Sequence, residues 1–479
     1  MIGMKAAQAP VHNRSIILLF ICFGIFMVYL DSMIVNVALP SISDDLQVGI
    51  SSLQWVIDAY TITFACLILT AGNLGDSYGH KKVFVTGLIG FTFASLLCVF
   101  APSIGILWLG RALQGITGSM MIPVSLAIIR GIYHEPAARA KAIGIWAGVG
   151  GLALAAGPVA GGFLVEHFGW QSIFWINIPF GCLAAIVLFL SLKETGTKRK
   201  QKQDIPGQIL FIAGIAAITY ACIEGNSLGW SSPPILLAIG SFIICLCLFV
   251  LWELRCKEPL IPLDFFRNRI FNVACAVNYF GFFGMYTVIF LLTLYLQTIN
   301  HYSALETGIR FLPLTVSIMV ASFAGSMIAS RFGYLKLIIW GTFMVGVGAI
   351  ALTALKEGSS YLTYGWALAL IGIGVSLIGA ASTIALIEAV PPERVGAAYG
   401  VTNTFRQLSA VFSVALSGTL VSQHSSSASN PEIAPDMFLQ GFEQSFYLVG
   451  IASLIAGACA IVLLRNRARR AMPQKELSQ

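Results

Sequence analysis

The chain has 479 residues, 57% hydrophobic and only 10% charged, with a mean hydropathy of +0.84 and a formal net charge of +7. Soluble globular domains carry about 25% charged residues, so a water-soluble fold of this composition would expose large apolar patches and is excluded. The apolar residues run in blocks of roughly 18 to 27, which suits the roughly 20 helical residues needed to cross a hydrocarbon core.

In chain order, these blocks predict an all-α integral membrane protein with transmembrane helices at 16–39, 53–74, 83–101, 104–129, 142–165, 172–192 and 207–225. A second set follows at 235–252, 272–298, 308–329, 337–355, 362–387, 396–422 and 445–464, giving 14 in total. The blocks are continuously apolar rather than alternating, which argues against a barrel; helices also satisfy their backbone hydrogen bonds internally, as lipid requires. The first block is too long for a signal peptide and has no small-residue cleavage site, so it is expected to be retained.

Loop charges test this count, because basic residues collect on the cytoplasmic side of a membrane. With a cytoplasmic N-terminus, 24 of the 28 Lys and Arg residues fall in cytoplasmic segments, among them Lys5, Lys81, Lys82, the run at 198–202, Lys257, Arg331, Arg465 and Lys475. Lys356 alone falls in an outer loop, while Arg111, Arg310 and Arg406 lie inside spans. Both termini are therefore expected in the cytoplasm. The positive charge reads as topology and contact with anionic headgroups rather than as a nucleic-acid surface. The 10 cysteines lie in spans or, for Cys256, in a cytoplasmic segment, which leaves no extracellular disulfide framework.

A tail (1–15) precedes six spans (16–192), a polar linker (193–206), two spans (207–254), a second linker (255–271), six spans (272–464) and a basic tail (465–479). This six, two, six order predicts two six-helix bundles with an inserted two-helix hairpin. The halves echo each other: the stretch from Gly72 to Lys82 aligns with that from Ser326 to Lys336, Gly79 falling on Gly333.

Four stretches carry the mechanism. In Gly72-Asn73-Leu74-Gly75-Asp76-Ser77-Tyr78-Gly79-His80-Lys81-Lys82, glycines allow a tight turn and close helix approach, and Asp76 can bond to a neighbouring helix end. Leu107-Trp108-Leu109-Gly110-Arg111-Ala112-Leu113-Gln114-Gly115 places an arginine inside the fourth span. Gly157-Pro158-Val159-Ala160-Gly161-Gly162 sets small residues four apart for backbone packing, with a proline that permits a bend. Leu30-Asp31-Ser32-Met33-Ile34-Val35-Asn36-Val37-Ala38-Leu39-Pro40 puts a carboxylate inside the first span.

In this order, and with the connecting sequences at 170–181 and 258–266, these stretches resemble the major facilitator superfamily and, within it, the fourteen-span drug:proton antiporters. The resemblance covers almost the whole chain. It implies a major facilitator fold and proton-coupled efflux of lipophilic, cationic small molecules by alternating access. The alternative it leaves open is dedicated export of a metabolite, antibiotic, siderophore or lipid. It further implies that Gly72, Asp76, Gly79, Lys81 and Lys82 latch a cytoplasmic gate, although Ser77 and His80 stand where arginine is usual. Gly157, Pro158, Gly161 and Gly162 would form the antiporter hinge. The expected setting is a bacterial cytoplasmic membrane and a functional monomer. Substrate, protons and membrane lipids are its partners, with the proton gradient as energy source and neither cofactor nor metal.

Charges near a bilayer centre are costly and usually face a cavity or a partner. Asp31 lies about fifteen residues, roughly 23 Å, into its span, with Asp58 and Arg111 at similar depth. Asp31 is expected to take up a proton from outside and release it inside as Arg111 changes partner between two states. A fixed Asp31–Arg111 pair that merely holds helices together remains open. Asp58 is expected to compete for the proton or draw in a cation. Arg406, deep in the thirteenth span, either shapes the cavity, neutralises an anionic ligand or is a locked donor to carbonyls. Asn36, Gln114, Gln297, Asn403 and Arg406 are the cavity candidates. Glu224, Glu388 and Glu443, near span ends, read as solvated, and Tyr60, Phe280, Tyr286 and Tyr295 as packing.

An ATP-driven pump is disfavoured, because Gly75 is followed five residues later by His80 where a phosphate-binding loop needs glycine. All 6 histidines lie outside the spans, which disfavours a membrane enzyme.

Overall fold

The computed structural model describes residues 11–194, 203–256, 259–391, 394–425 and 435–470. Lys5, the run at 198–202, Lys257, Glu258 and Lys475 lie outside the described residues, as do the side chains of Arg331 and Arg465. The first half holds α1 (Val11–Leu46), α2 (Ile50–Tyr78), α3 (His80–Val99), α4 (Ile104–Ile132), α5 (Pro136–Phe168), α6 (Ser172–Trp175) and α7 (Asn177–Ser191). The inserted hairpin is α8 (Ile205–Leu228) and α9 (Pro233–Glu253). The second half holds α10 (Arg269–Leu294) with a π turn at Tyr295–Ile299, α11 (Ala304–Arg310), α12 (Leu312–Phe332), α13 (Tyr334–Leu352), α14 (Tyr361–Ala389), α15 (Val395–Ser425) and α16 (Pro435–Arg470).

Two predicted spans are interrupted by proline. Pro179 has no N–H to donate to the Trp175 carbonyl, so α6 stops and α7 restarts; Pro313 does the same to Ile309 at the α11–α12 break. Counting each pair once, 13 helical stretches among the described residues are long and apolar enough to span a membrane. The fourteenth helix, α15, has 31 residues and fails that test on composition. Its polarity is hidden within the bundle: Ser409, Ser413 and Ser417 are buried and donate to carbonyls of their own helix.

The internal echo is structural. Gly79 has φ 105° and Gly333 φ 78°, a region that favours glycine, and each precedes the first residue of the next helix. The halves meet along α2–α15, α1–α10 and α5 with α11 and α12.

The helix α8 packs on α2 and α15 at once, and α9 packs on α8. From α8, Gln208 Nε2 donates to the Cys66 carbonyl at 2.7 Å, and its Oε1 accepts from Thr70. Trp55 Nε1 donates to Glu224 at 3.2 Å, and Asn226 Nδ2 donates to the Thr419 carbonyl at 2.6 Å. Glu224 is thus a helix-to-helix acceptor rather than the solvated carboxylate expected, because an indole N–H inside a membrane protein needs an acceptor. On α9, Leu236, Leu237, Ile243, Ile244 and Leu251 are exposed, an apolar face suited to lipid.

Candidate functional site

Asp31 and Arg111 come together, each about 1% exposed, between α1, α2 and α4. Arg111 Nη1 donates to Asp31 Oδ2, and Arg111 Nε to the Val56 carbonyl at 3.0 Å. The second carboxylate oxygen accepts from Gln114 Nε2 at 3.0 Å and Asn177 Nδ2 at 3.2 Å. Gln114 Oε1 in turn accepts from Arg111 Nη1 at 2.8 Å, and Ser95 Oγ accepts from Gln114 Nε2 at 2.9 Å. The guanidinium lies over the Tyr60 ring, 4.4 Å from its centroid. Both charges are therefore compensated inside the first half, as buried ions must be.

One cavity expectation changes here. Gln114 belongs to the carboxylate cage, with no exposed surface, because it sits one turn from Arg111 on the same face of α4. Ser95 and Asn177, which complete the cage, had no sequence signal beyond being polar within apolar runs.

Asp58 is separate from this cage. It is fully buried, and among the described residues neither of its carboxylate oxygens has a hydrogen-bond partner. It follows Gln54 by one turn on α2, and Gln54 Nε2 donates to the Val414 carbonyl of α15 at 2.9 Å. On the same side of α2, Ile62 and Ala65 pack with Ile215 of α8 and with Leu408 and Val411 of α15. Asp58 therefore occupies the junction of α2, α8 and α15, a rotation of α2 away from the central cavity.

That cavity lies between the halves. Val28, Tyr29, Ser32, Asn36, Tyr60 and Thr61 line it from the first half, and Phe282, Tyr286, Arg406 and Gln407 from the second. A continuation within the second half adds Asn278, Ser382, Tyr399, Thr402 and Asn403 and shares Phe282 and Arg406. Asn36, Asn403 and Arg406 are where they were expected. Tyr60 and Tyr286 line the cavity instead of merely packing, the Tyr60 hydroxyl donating to the Val28 carbonyl at 3.2 Å. Phe280 is not among the lining residues, and Tyr295 is fully buried with its hydroxyl on the Lys356 carbonyl at 2.6 Å.

Gln297 is a further correction. It lies on the π turn, an extra-residue register that re-aims side chains, and its Nε2 donates to the Val37 carbonyl of α1 at 3.0 Å. It seals the halves at the end away from the N-terminus rather than lining the cavity. The Gly-Pro stretch acts at the same end. A Cβ on Gly162 would lie 2.7 Å from Leu305 Cα, and one on Gly308 2.8 Å from the Pro158 carbonyl carbon. Gly157 and Gly161 abut Met33 and Ile34 of α1 in the same way. This one motif therefore packs α5 against α1 on one face and across the halves on the other.

At the opposite end, a Cβ on Gly75 would lie 2.9 Å from the Val124 side chain of α4, and Gly72 lies beside Pro123. Asp76 Oδ1 pairs with His80 Nε2 at 3.0 Å. Lys81 ties the motif to the end of α7, its backbone N–H donating to Glu194 at 3.1 Å and Nζ to the Phe189 carbonyl at 2.7 Å. Lys82 is exposed.

The model of the Major Facilitator Superfamily matches residues 21–414. The chain is 34% identical over 426 residues to the multidrug resistance protein Stp of Mycobacterium tuberculosis, covering 88% of this chain and 79% of that one. It is 30% identical over 473 residues to the methylenomycin A resistance protein of Streptomyces coelicolor, covering 98% and 97%. Among solved structures, the POT family transporter PepTSo superposes with a TM-score of 0.70 at 14% identity, covering 97% of this chain and 99% of that one. With two halves meeting around a lined cavity and a family match along most of its length, the chain belongs to the major facilitator superfamily.

Proposed function

We propose that this protein is a proton-coupled secondary transporter that exports lipophilic small molecules, with Asp31 as proton carrier and Arg111 as its exchangeable partner. The observation that carries this reading is the position of Tyr60, which lines the cavity on one side and lies against the Arg111 guanidinium on the other. Protonation removes the charge that holds Arg111, so the guanidinium loses its strongest acceptor and must find another. The movement is transmitted to the cavity wall through Tyr60. A substrate and a proton then bias the same two-state rocking of the halves, which is the requirement for exchange.

In this reading the protein works as a monomer in the cytoplasmic membrane of a bacterium, with both termini in the cytoplasm and its functional units divided at 193–206 and 255–271. The Gly72–Lys82 motif lies on the cytoplasmic side, where the cavity opens for loading, and the α5–α11 contact closes the outer side. The likeness to proteins named for drug and antibiotic resistance supports efflux as the direction of transport.

The test is uptake of the neutral dye N-phenyl-1-naphthylamine into energised inverted vesicles. Protonophore-sensitive uptake by the wild type, lost in Asp31→Asn, is the expected result. Uphill uptake at the wild-type rate by Asp31→Asn sinks the carrier assignment.

A further inference from the structure

The charge of the cavity bears on which molecules it takes. The resemblance implies cationic substrates, with Asp58 expected to draw one in, yet neither Asp31 nor Asp58 lines the cavity. Asp31 is closed off by Arg111, Gln114 and Asn177, while Asp58 lies on the side of α2 that packs against α8 and α15 and is absent from the cavity wall. No aspartate or glutamate lines either part of the cavity among the described residues, and the one formal charge on its wall is Arg406. Arg406 forms no ion pair among the described residues, and its Nε has no hydrogen-bond partner. Its guanidinium stands 5.3 Å from the centre of the Phe282 ring, beside the phenols of Tyr29, Tyr286 and Tyr399. Asn403 and Gln407 add amide donors on the same helix.

A half-buried guanidinium with an unbonded Nε and no counter-ion among the described residues attracts an anion and repels a cation, and the low polarity of its surroundings strengthens both effects. Phe282 and the tyrosines supply flat surfaces on which an aromatic body can lie.

We infer that the cavity recognises amphiphilic organic anions, an aromatic or alicyclic body bearing a carboxylate, sulfonate or phenolate, with Arg406 as the group that binds the acid. This deepens the efflux reading and rests on it for the direction of transport. Binding itself depends on the cavity alone. An anion leaving while a proton enters carries charge in the sense favoured by an inside-negative potential, so exchange needs no further ion.

Purified protein in detergent is titrated with two xanthene dyes of similar size, anionic fluorescein at pH 8 and cationic rhodamine 123, followed by fluorescence polarisation. The wild type is expected to bind fluorescein at least tenfold more tightly than rhodamine 123. Arg406→Gln should weaken fluorescein binding at least tenfold, and Arg406→Lys, which keeps the charge, should restore most of it. If Arg406→Gln unfolds, the wild-type preference and its weakening by salt still decide. Tighter binding of rhodamine 123, no binding of fluorescein, or fluorescein binding unchanged in a folded Arg406→Gln overturns the assignment. Fluorescein binding without proton-driven fluorescein uptake into energised inverted vesicles would instead sink the efflux reading and leave this assignment standing.

Discussion

Arg111 and Asp31 are joined on α4 and α1 in a site closed to water, and every other polar group that touches the Asp31 carboxylate is an uncharged amide. Neutralising one partner therefore leaves the other charge without compensation. Breaking a buried ion pair from one side costs about 3–5 kcal/mol, so Asp31→Asn and Arg111→Gln should each lower the unfolding temperature in detergent. The double variant should recover most of that loss while proton-driven transport stays at least tenfold below wild type. A double variant that transports like wild type would show the pair to be structural only.

The contact between Gly162 and Leu305 tests the seal. A side chain at position 162 has to push the backbones of α5 and α11 apart, and overpacking of this kind costs about 1–3 kcal/mol. Gly162→Val should shift the population toward the arrangement in which this end is open. Maleimide labelling of Ala304→Cys should rise, and transport should fall roughly tenfold. Gly148→Ala, where an added Cβ meets nothing within 4 Å, is the control and should behave as wild type.

Docking of the inserted hairpin depends on amide bonds within the membrane. Gln208→Leu removes the bond to the Cys66 carbonyl and leaves the Thr70 hydroxyl without its acceptor, at about 1–3 kcal/mol for a buried group left unpaired. Hydrogen exchange should then accelerate in α8 and leave α4 unchanged. Equal protection of α8 in both proteins would mean that apolar packing alone holds the hairpin.

Outside the spans, Arg394 bonds Asp264 through both guanidinium nitrogens, at 2.5 and 3.2 Å, and holds its carboxyl below the usual carboxylate range. Because the folded value is depressed, the stabilisation is fully present above the unfolded value, about 3.9, and is lost as pH falls through the lowered one. Both groups are half-exposed, so the effect is small. Asp264→Asn should flatten the acid limb of the unfolding-temperature profile below about pH 4; an unchanged acid limb would show that the pair contributes nothing.

The spans were readable because moving a side chain from water to lipid is nearly a property of that side chain, so composition in a window suffices. The exception, α15, is instructive: its serines look too polar until their hydroxyls are seen bonding back onto the helix. Asp31 and Arg111 could be paired from sequence because two opposite charges at one depth have little alternative to meeting. Gln114 and Gln297 could not be told apart, since the same amide serves equally in an ion cage, a cavity wall or a seal.

By itself, the sequence determined that the chain lives in lipid, that it is built as six, two and six helices, and that a few charges lie within its spans. Only the tertiary structure decided where each of those charges faces. A helix in a bundle can turn about its axis at little change in its own energy, and its rotation is set by all its neighbours together. The packing of α8 and α15 directs Asp58 away from the cavity, the Gln114 cage encloses Asp31, and what remains on the wall, among the described residues, is the cation of Arg406.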